Sequence, residues 1–242
     1  MGRFILGLML PVFLVVMVGM GALHPAIDAT AGEREHSTWE TSMTTGTRRV
    51  NIVVAKYLYV ATLSATAGLL NLTAMAVSMR GVLAPLLRAR DSDMSFQIPF
   101  AALPVIVLGT VLLALFVAAG MMTLGSFART FKEGQALAAP FFMLLILPLN
   151  FLQAPGVELT PRLALIPVVN VSLMFREAIA GTYRWPLIAL TVAVELAAVT
   201  ATLALAAAVL RHEDMVLGSY EGGFRGFVKR RLLRGGRGGR HV

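Results

Sequence analysis

The chain contains no cysteine. Disulfides, thiolate metal sites and cysteine nucleophiles are thereby excluded, while the compartment stays open. Charge is also scarce. Only 14% of the 242 residues are charged against 57% hydrophobic, and the mean hydropathy is +0.76. A soluble globular domain does not reach such values, so the composition specifies a polytopic membrane protein. A phosphate loop is missing as well: none of Lys56, Lys132 and Lys229 follows a glycine, and backbone N–H groups cannot then cradle a nucleotide ahead of the lysine. The four histidines, His24, His36, His212 and His241, are scattered, and no helix carries a pair of glutamates in a metal-binding register. That argues against a metal-dependent membrane enzyme such as an intramembrane protease. A haem-binding or structural membrane component has no better support, because methionine is ordinary lipid-phase filler and axial ligation needs facing helices.

Long apolar runs are what the sequence has. Five are long enough to cross a bilayer of about 30 Å as helices: residues 4–26, 52–79, 100–127, 136–152 and 186–210. None alternates apolar and polar residues as a membrane barrel does, so the expected fold is all-α and polytopic. Pro140 and Pro148 predict kinks in the fourth span. Basic residues set the orientation. With residues 27–51 placed inside, the inner segments hold fourteen Lys/Arg and the outer segments seven, which predicts an outward N-terminus and a cytoplasmic C-terminus in the inner (plasma) membrane. A cleaved signal peptide explains such a start poorly, since the apolar stretch is long and the basic region before it thin.

Residues 27–49 read IDATAGEREHSTWETSMTTGTRR and place three glutamates and three arginines between two apolar runs. The sequence predicts a tight charged turn at Gly32-Glu33-Arg34-Glu35, then a short surface helix. Ser37-Thr38-Trp39-Glu40 fits a capping box, Gly46 is placed to end that helix, and Thr47 suits the cap of the next span. Trp39 suits a headgroup or protein interface. The plain alternative is an ordinary charged loop.

This stretch, continued through Lys56, resembles the signature of ABC type-2 exporter permeases, nearest the NatB-like sodium-export branch. The matching positions are Asp28, Ala31, Gly32, Glu33, Arg34, Glu35, Thr38, Glu40, Thr41, Arg48 and Lys56. SFARTFKEGQ (126–135) and LIPVVNVSLMFREAIAG (165–181) fit the same branch. Ser42-Met43 departs from the usual Leu-Leu, and Ala55 replaces the glycine usual before the lysine. The resemblance implies a coupling elbow, within 27–51, docked on a separate ATP-binding subunit, with Gly32, Glu33, Arg34, Glu35, Thr38, Trp39, Glu40 and Thr41 as contacts. The second inner loop, 129–135, is brief, so Arg129, Lys132 and Glu133 can contact the same partner with little slack; the plain alternative is a turn between two spans. The resemblance also implies a second permease subunit, identical or different, and no cofactor on this chain, the ATP being used by the partner. The exported solute that the resemblance implies is sodium or another small solute. Such permeases begin with an earlier span and an extracytoplasmic domain, so by the same resemblance the expected counterpart of the first run here is their second span.

Glu195 falls near the middle of the last run, where a lone carboxylate is costly. It is either a ligand on the translocation path or a protonated or paired group joining helices. Asn71 and Asn150 are explained by interhelical hydrogen bonds. Residues 153–185 are interrupted by prolines and suit a segment that dips into the membrane and returns, and the resemblance agrees. Asn170, Arg176 and Glu177 are the polar members of an outer gate there, or of an interfacial loop. Residues 211–242 form a basic, glycine-rich tail with eight Lys/Arg and three acids. Placed after a cytoplasmic helix end, it suits anionic lipid rather than nucleic acid.

Overall fold

A computed structural model describes residues 2–38, 49–79, 81, 98–151 and 157–210. Among the described residues the elements are helical, with no strand. Six helices are named here: α1 Gly2–Ile27, α2 Arg49–Ser78, α3 Leu103–Gly125, α4 Phe131–Phe151, α5 Val169–Ala180 and α6 Trp185–Leu210. All but α5 are long and apolar enough to cross a membrane.

Helices α1 and α3 form the centre. Half of each span is buried, against about a quarter in α2, α4 and α6. Helix α1 packs on α2, α3, α4 and α5, and α3 packs on every other named helix. Side chains set these roles. Leu6, Leu10, Leu14, Val18 and Ala22 are buried at four-residue spacing, while Met9, Phe13, Met17 and Met20 line the opposite, exposed face of α1. That is one apolar stripe for the bundle and one for its surroundings. Helix α3 carries no charged residue. Its Gly109 lets α5 lie close, because a Cβ there would come within 2.5 Å of Phe175 Cε1. Helices associate in lipid through such close packing rather than through hydrophobic exclusion.

Two boundaries differ from the sequence reading. The charged turn expected at Gly32-Glu33-Arg34-Glu35 is helical instead. Helix α1 passes into a π-helical turn, Asp28–Gly32, and then into one α-turn, Glu33–Glu35. Gly32 has φ −61° and Glu33 φ −64°, so the glycine takes the right-handed helical conformation open to any residue. The reversal begins at Ser37, whose φ is 56° and whose N–H closes back on Arg34 O. The fourth span begins at Phe131 rather than at residue 136, because its polar first turn is capped. Lys132, Glu133 and Gln135 therefore belong to a helix and not to a loop. Pro140 and Pro148 lie inside this unbroken helix, as Pro11 and Pro25 do inside α1.

Helix α5 has 12 residues, about 18 Å at 1.5 Å per residue, too short to cross. It is nonetheless almost wholly buried. Gly181, with φ 86°, ends it in the left-handed conformation, with Thr182 N–H closing on Glu177 O.

Candidate functional site

Consecutive residues of a helix project about 100° apart, so three neighbours can reach three different elements. Glu33, Arg34 and Glu35 do so at the end of the extended α1. The Glu33 carboxylate pairs with Lys56 of α2, and Lys56 Nζ also donates to Ala29 O at 3.0 Å. Arg34 Nη1 donates to Ser126 O at 2.8 Å and to Ala128 O at 3.3 Å, just past the end of α3. Glu35 Oε2 accepts the Phe131 N–H, the first of α4, at 2.7 Å.

The logic of this node is that of helix ends. The carbonyls that follow α3, at Ser126 and Ala128, and the first N–H groups of α4 have no partners within those helices. A guanidinium at a C-terminus and a carboxylate at an N-terminus satisfy them with the sign that the helix dipoles favour. Hydrogen bonds to charged groups are worth about 1.5–3 kcal/mol each, with the exposed Glu35 at the low end. Gly125 makes the approach possible, since a Cβ there would stand 2.4 Å from Thr30 Oγ1 in the π-turn.

The start of α4 is closed from its own side as well. Thr130 Oγ1 accepts the Glu133 N–H at 3.3 Å, and Glu133 Oε2 accepts the Arg129 N–H at 2.8 Å. This is a capping box displaced by one residue. The Thr130-x-x-Glu133 spacing that marks it was present in the sequence and was not used to place the helix start. Thr38 Oγ1 donates to Glu33 O at 3.3 Å. Gly32 is buried, while Arg129, Lys132 and Glu133 are exposed on the same face. Trp39, Glu40 and Thr41 lie outside the described residues, and with them the second half of the proposed capping box, as do Gly46, Thr47 and the basic tail.

The second polar cluster lies inside the bundle. Glu195 is fully buried on α6, and its Oε1 accepts the Val168 N–H at 3.1 Å. Val168 precedes the first residue of α5 and has φ 70°, an outlier for a β-branched residue. Asn170, also fully buried, donates from Nδ2 to Ala164 O at 3.1 Å, and its Oδ1 accepts the Val171 N–H at 2.7 Å. The Val168 contact lies ten residues into α6, about 15 Å from its start.

The other end of this segment is fixed at the far face. Glu177 Oε1 accepts the Leu159 N–H at 2.9 Å, Arg184 Nη1 donates to Leu159 O at 3.3 Å, and Arg184 pairs with Glu158 at 2.5 Å. The hydrogen bond from Arg184, reinforced by its charge, holds the Glu158 carboxyl below the usual carboxylate range.

The residues named as a path therefore fall in three places. Glu195 and Asn170 flank the start of α5. Glu177 belongs to the far-face ion cluster, and Arg176 lies against Gly7 of α1. Asn71 is on α2, whose neighbours are α1 and α3, whereas α6 adjoins α3, α5 and the 163–165 turn. Asn71 Oδ1 is buried without a partner, and Asn150 Nδ2 donates within its own helix, to Ile146 O at 3.3 Å. Among the described residues neither makes the interhelical bond expected of it. Thr191, Val168 and the carbonyls of Ser126 and Ala128 were not read from the sequence. No residue-type signal marks a backbone carbonyl as a ligand.

A multi-pass helical membrane protein with a charged node joining three helix ends and a short buried helix is the class that these features define. The chain belongs to the ABC-2 family transporter proteins, whose family profile matches residues 1–209. It is also 24% identical over 181 residues to the ABC transporter permease protein NatB of Bacillus subtilis (strain 168), covering 73% of this chain and 45% of that protein. The chain thus spans about half the length of this curated relative. No solved structure gives a significant match.

Exchanging the charges of the Glu33–Lys56 pair tests the node. Glu33→Lys alone and Lys56→Glu alone are each expected to cost about 1–3 kcal/mol, read as a lower thermal midpoint in detergent. The double exchange is expected to recover part of the loss but not all, since a carboxylate at position 56 cannot donate to Ala29 O.

The far-face pair has a pH signature. A carboxyl whose folded pKa is depressed contributes stability above its unfolded pKa and loses it as pH falls through the folded value. The thermal midpoint of the native chain should therefore exceed that of Glu158→Gln at neutral pH. The small, salt-screened difference should vanish in acid below the ordinary glutamate range.

Proposed function

We propose that the chain is the membrane-spanning permease subunit of an ATP-driven exporter, and that its elbow is the docking surface for a separate ATP-binding subunit. The observation that carries this reading is the Glu33-Arg34-Glu35 node, in a chain of the ABC-2 family. A chain without a phosphate loop has to receive its motion, and a docking element transmits motion only if it is stiff. Here the elbow is the direct helical continuation of α1, and its charged residues hold Lys56 in the first half of α2, the end of α3 and the start of α4. Displacing the elbow then moves the four helices together rather than bending a loop.

The proposal assigns the elbow face to the cytoplasm, with the N-terminus outside and the C-terminus inside. Glu33, Arg34 and Glu35 set the shape of the docking element. The exposed groups around it, Thr38, Arg129, Lys132 and Glu133, meet the partner together with Trp39, Glu40 and Thr41. A second permease subunit, identical or different, completes the transporter, and the exported solute is sodium or another small solute. Movement of α1 reaches the far side through α5, which packs on both α1 and α3. The far-face cluster of Arg176, Glu177 and Arg184 borders the outlet in this reading, and Glu195, Asn71 and Asn170 are the polar groups nearest the path.

Co-purification with the ATP-binding subunit tests it. Lys132→Glu combined with Arg129→Glu should reduce recovery of that subunit by about tenfold, equivalent to about 1.4 kcal/mol, while the folded chain is kept. Arg34→Ala should retain binding but lose substrate-stimulated ATP hydrolysis. Undiminished binding in the double charge reversal would remove the docking surface from this face.

A further inference from the structure

Among the described residues the Glu195 carboxyl, which can accept about four bonds when ionised, has the Val168 N–H as its one direct donor at hydrogen-bond distance, with the Asn170 amide beside it. The second oxygen, Oε2, is buried without a partner. One turn earlier on α6, Thr191 Oγ1 is equally unpartnered, and both side chains are fully buried. This threonine stands apart from the others. Among the described residues of the long helices and the π-turn, every other threonine hydroxyl donates to a carbonyl three or four residues back: Thr30, Thr62, Thr66, Thr73, Thr110, Thr123, Thr200 and Thr202. Residues four apart share a helix face, so two unpartnered buried oxygens stand one turn apart on the same face of α6.

Among the described residues the surroundings offer no counter-charge. Helix α3, which packs on α6, has no titratable residue. On α5 the charged groups, Arg176 and Glu177, are eight and nine residues beyond Val168, about 12 Å along the helix. The 157–168 segment carries Glu158 and Arg162, both exposed, and Glu158 is engaged by Arg184 at the far face. One N–H, the neighbouring Asn170 amide and the partial positive charge of a helix start do not replace the water that a carboxylate gives up on burial.

We propose that Glu195 is a proton-binding site that latches α5 to α6. In the latched state Glu195 is the neutral acid. Its Oε1 accepts the Val168 N–H, and its Oε2–H is the donor for which Thr191 Oγ1 is the waiting acceptor. Release transfers that proton to water, leaves a carboxylate that requires solvation, and draws the start of α5 away from α6. The left-handed Val168 favours the same direction, because its strained conformation persists only while the latch holds it. This inference concerns the chain by itself, so docking of an ATPase can fail while the latch stands, and the reverse.

The absence of native cysteine gives a clean test. A single cysteine is introduced at Val169, in the first turn of α5 and 4% exposed, in the full-length chain in membrane vesicles. Its labelling by a small water-soluble thiol reagent on both sides is followed from about pH 5 to about pH 9, a range that brackets carboxyl titration in a buried site. The same cysteine with Glu195→Gln, a permanent mimic of the neutral acid, supplies the intrinsic pH dependence of the thiol. The labelling ratio of the Glu195 chain to the Gln variant should rise with pH, roughly tenfold per unit while the neutral acid predominates. A ratio that stays level or falls overturns the proposal. Infrared spectroscopy of the unmodified protein gives an independent reading should the Gln variant not fold. A protonated carboxyl stretch at neutral pH, slow to shift in heavy water, is expected, and its absence overturns the proposal as surely.

Discussion

Every helix that ends at a membrane face leaves carbonyls or N–H groups without partners, and in this chain one short helical extension answers several of them at once. Glu33, Arg34 and Glu35 sit on successive positions of a turn that continues α1, and each reaches a different helix. Lys56 of α2 is bound by Glu33, the end of α3 by Arg34, and the start of α4 by Glu35. The π-turn at Asp28–Gly32 sets the rotation of that last turn, and π-bulges recur at functional positions in helices. Removing Arg34 would take the donor from two carbonyls in a partly buried setting, where an unmade bond costs more than a made one returns; removing Glu35 would uncap an exposed helix start, and removing Glu33 would take the carboxylate from Lys56.

The far side of the bundle obeys the same constraint by different means. Helix α5 is short and buried, and its two ends need partners that neither lipid nor the helix can supply. Gly181 and the Glu177–Leu159–Arg184 cluster close one end. Glu195 and Asn170 close the other. Between them the helix is held by apolar contacts with α1 and α3, so it is fixed by polar bonds at its tips and by packing along its length. An element anchored in this way can shift as a unit when the polar bond at one tip is exchanged for water.

Much of this was legible in the sequence. Hydropathy located all five long helices, since lipid demands long apolar runs and little competes with that signal. The density of charge at 27–49 marked the elbow, and the lone acid in the last run marked Glu195. What escaped had physical reasons. A glycine followed by three charged residues suggests a turn, yet Gly32 adopts helical angles without strain where the residues after it are anchored, as Arg34 and Glu35 are. The early start of α4 was hidden by polar residues that looked like loop and are the first turn of a capped helix. The Ser126 and Ala128 carbonyls, the left-handed Val168 and the open hydroxyl of Thr191 depend on how elements meet, and no local pattern encodes that.

The central claim is that the elbow, the end of α3 and the start of α4 form one stiff block. Spin labels on cysteines introduced at Ser37 and Lys132, both exposed on that face, measure it directly in the otherwise cysteine-free chain. A single narrow distance distribution is predicted, broadened by combining Arg34→Ala with Glu35→Ala. A broad distribution in the native background, or an unchanged one in the double variant, would contradict the account.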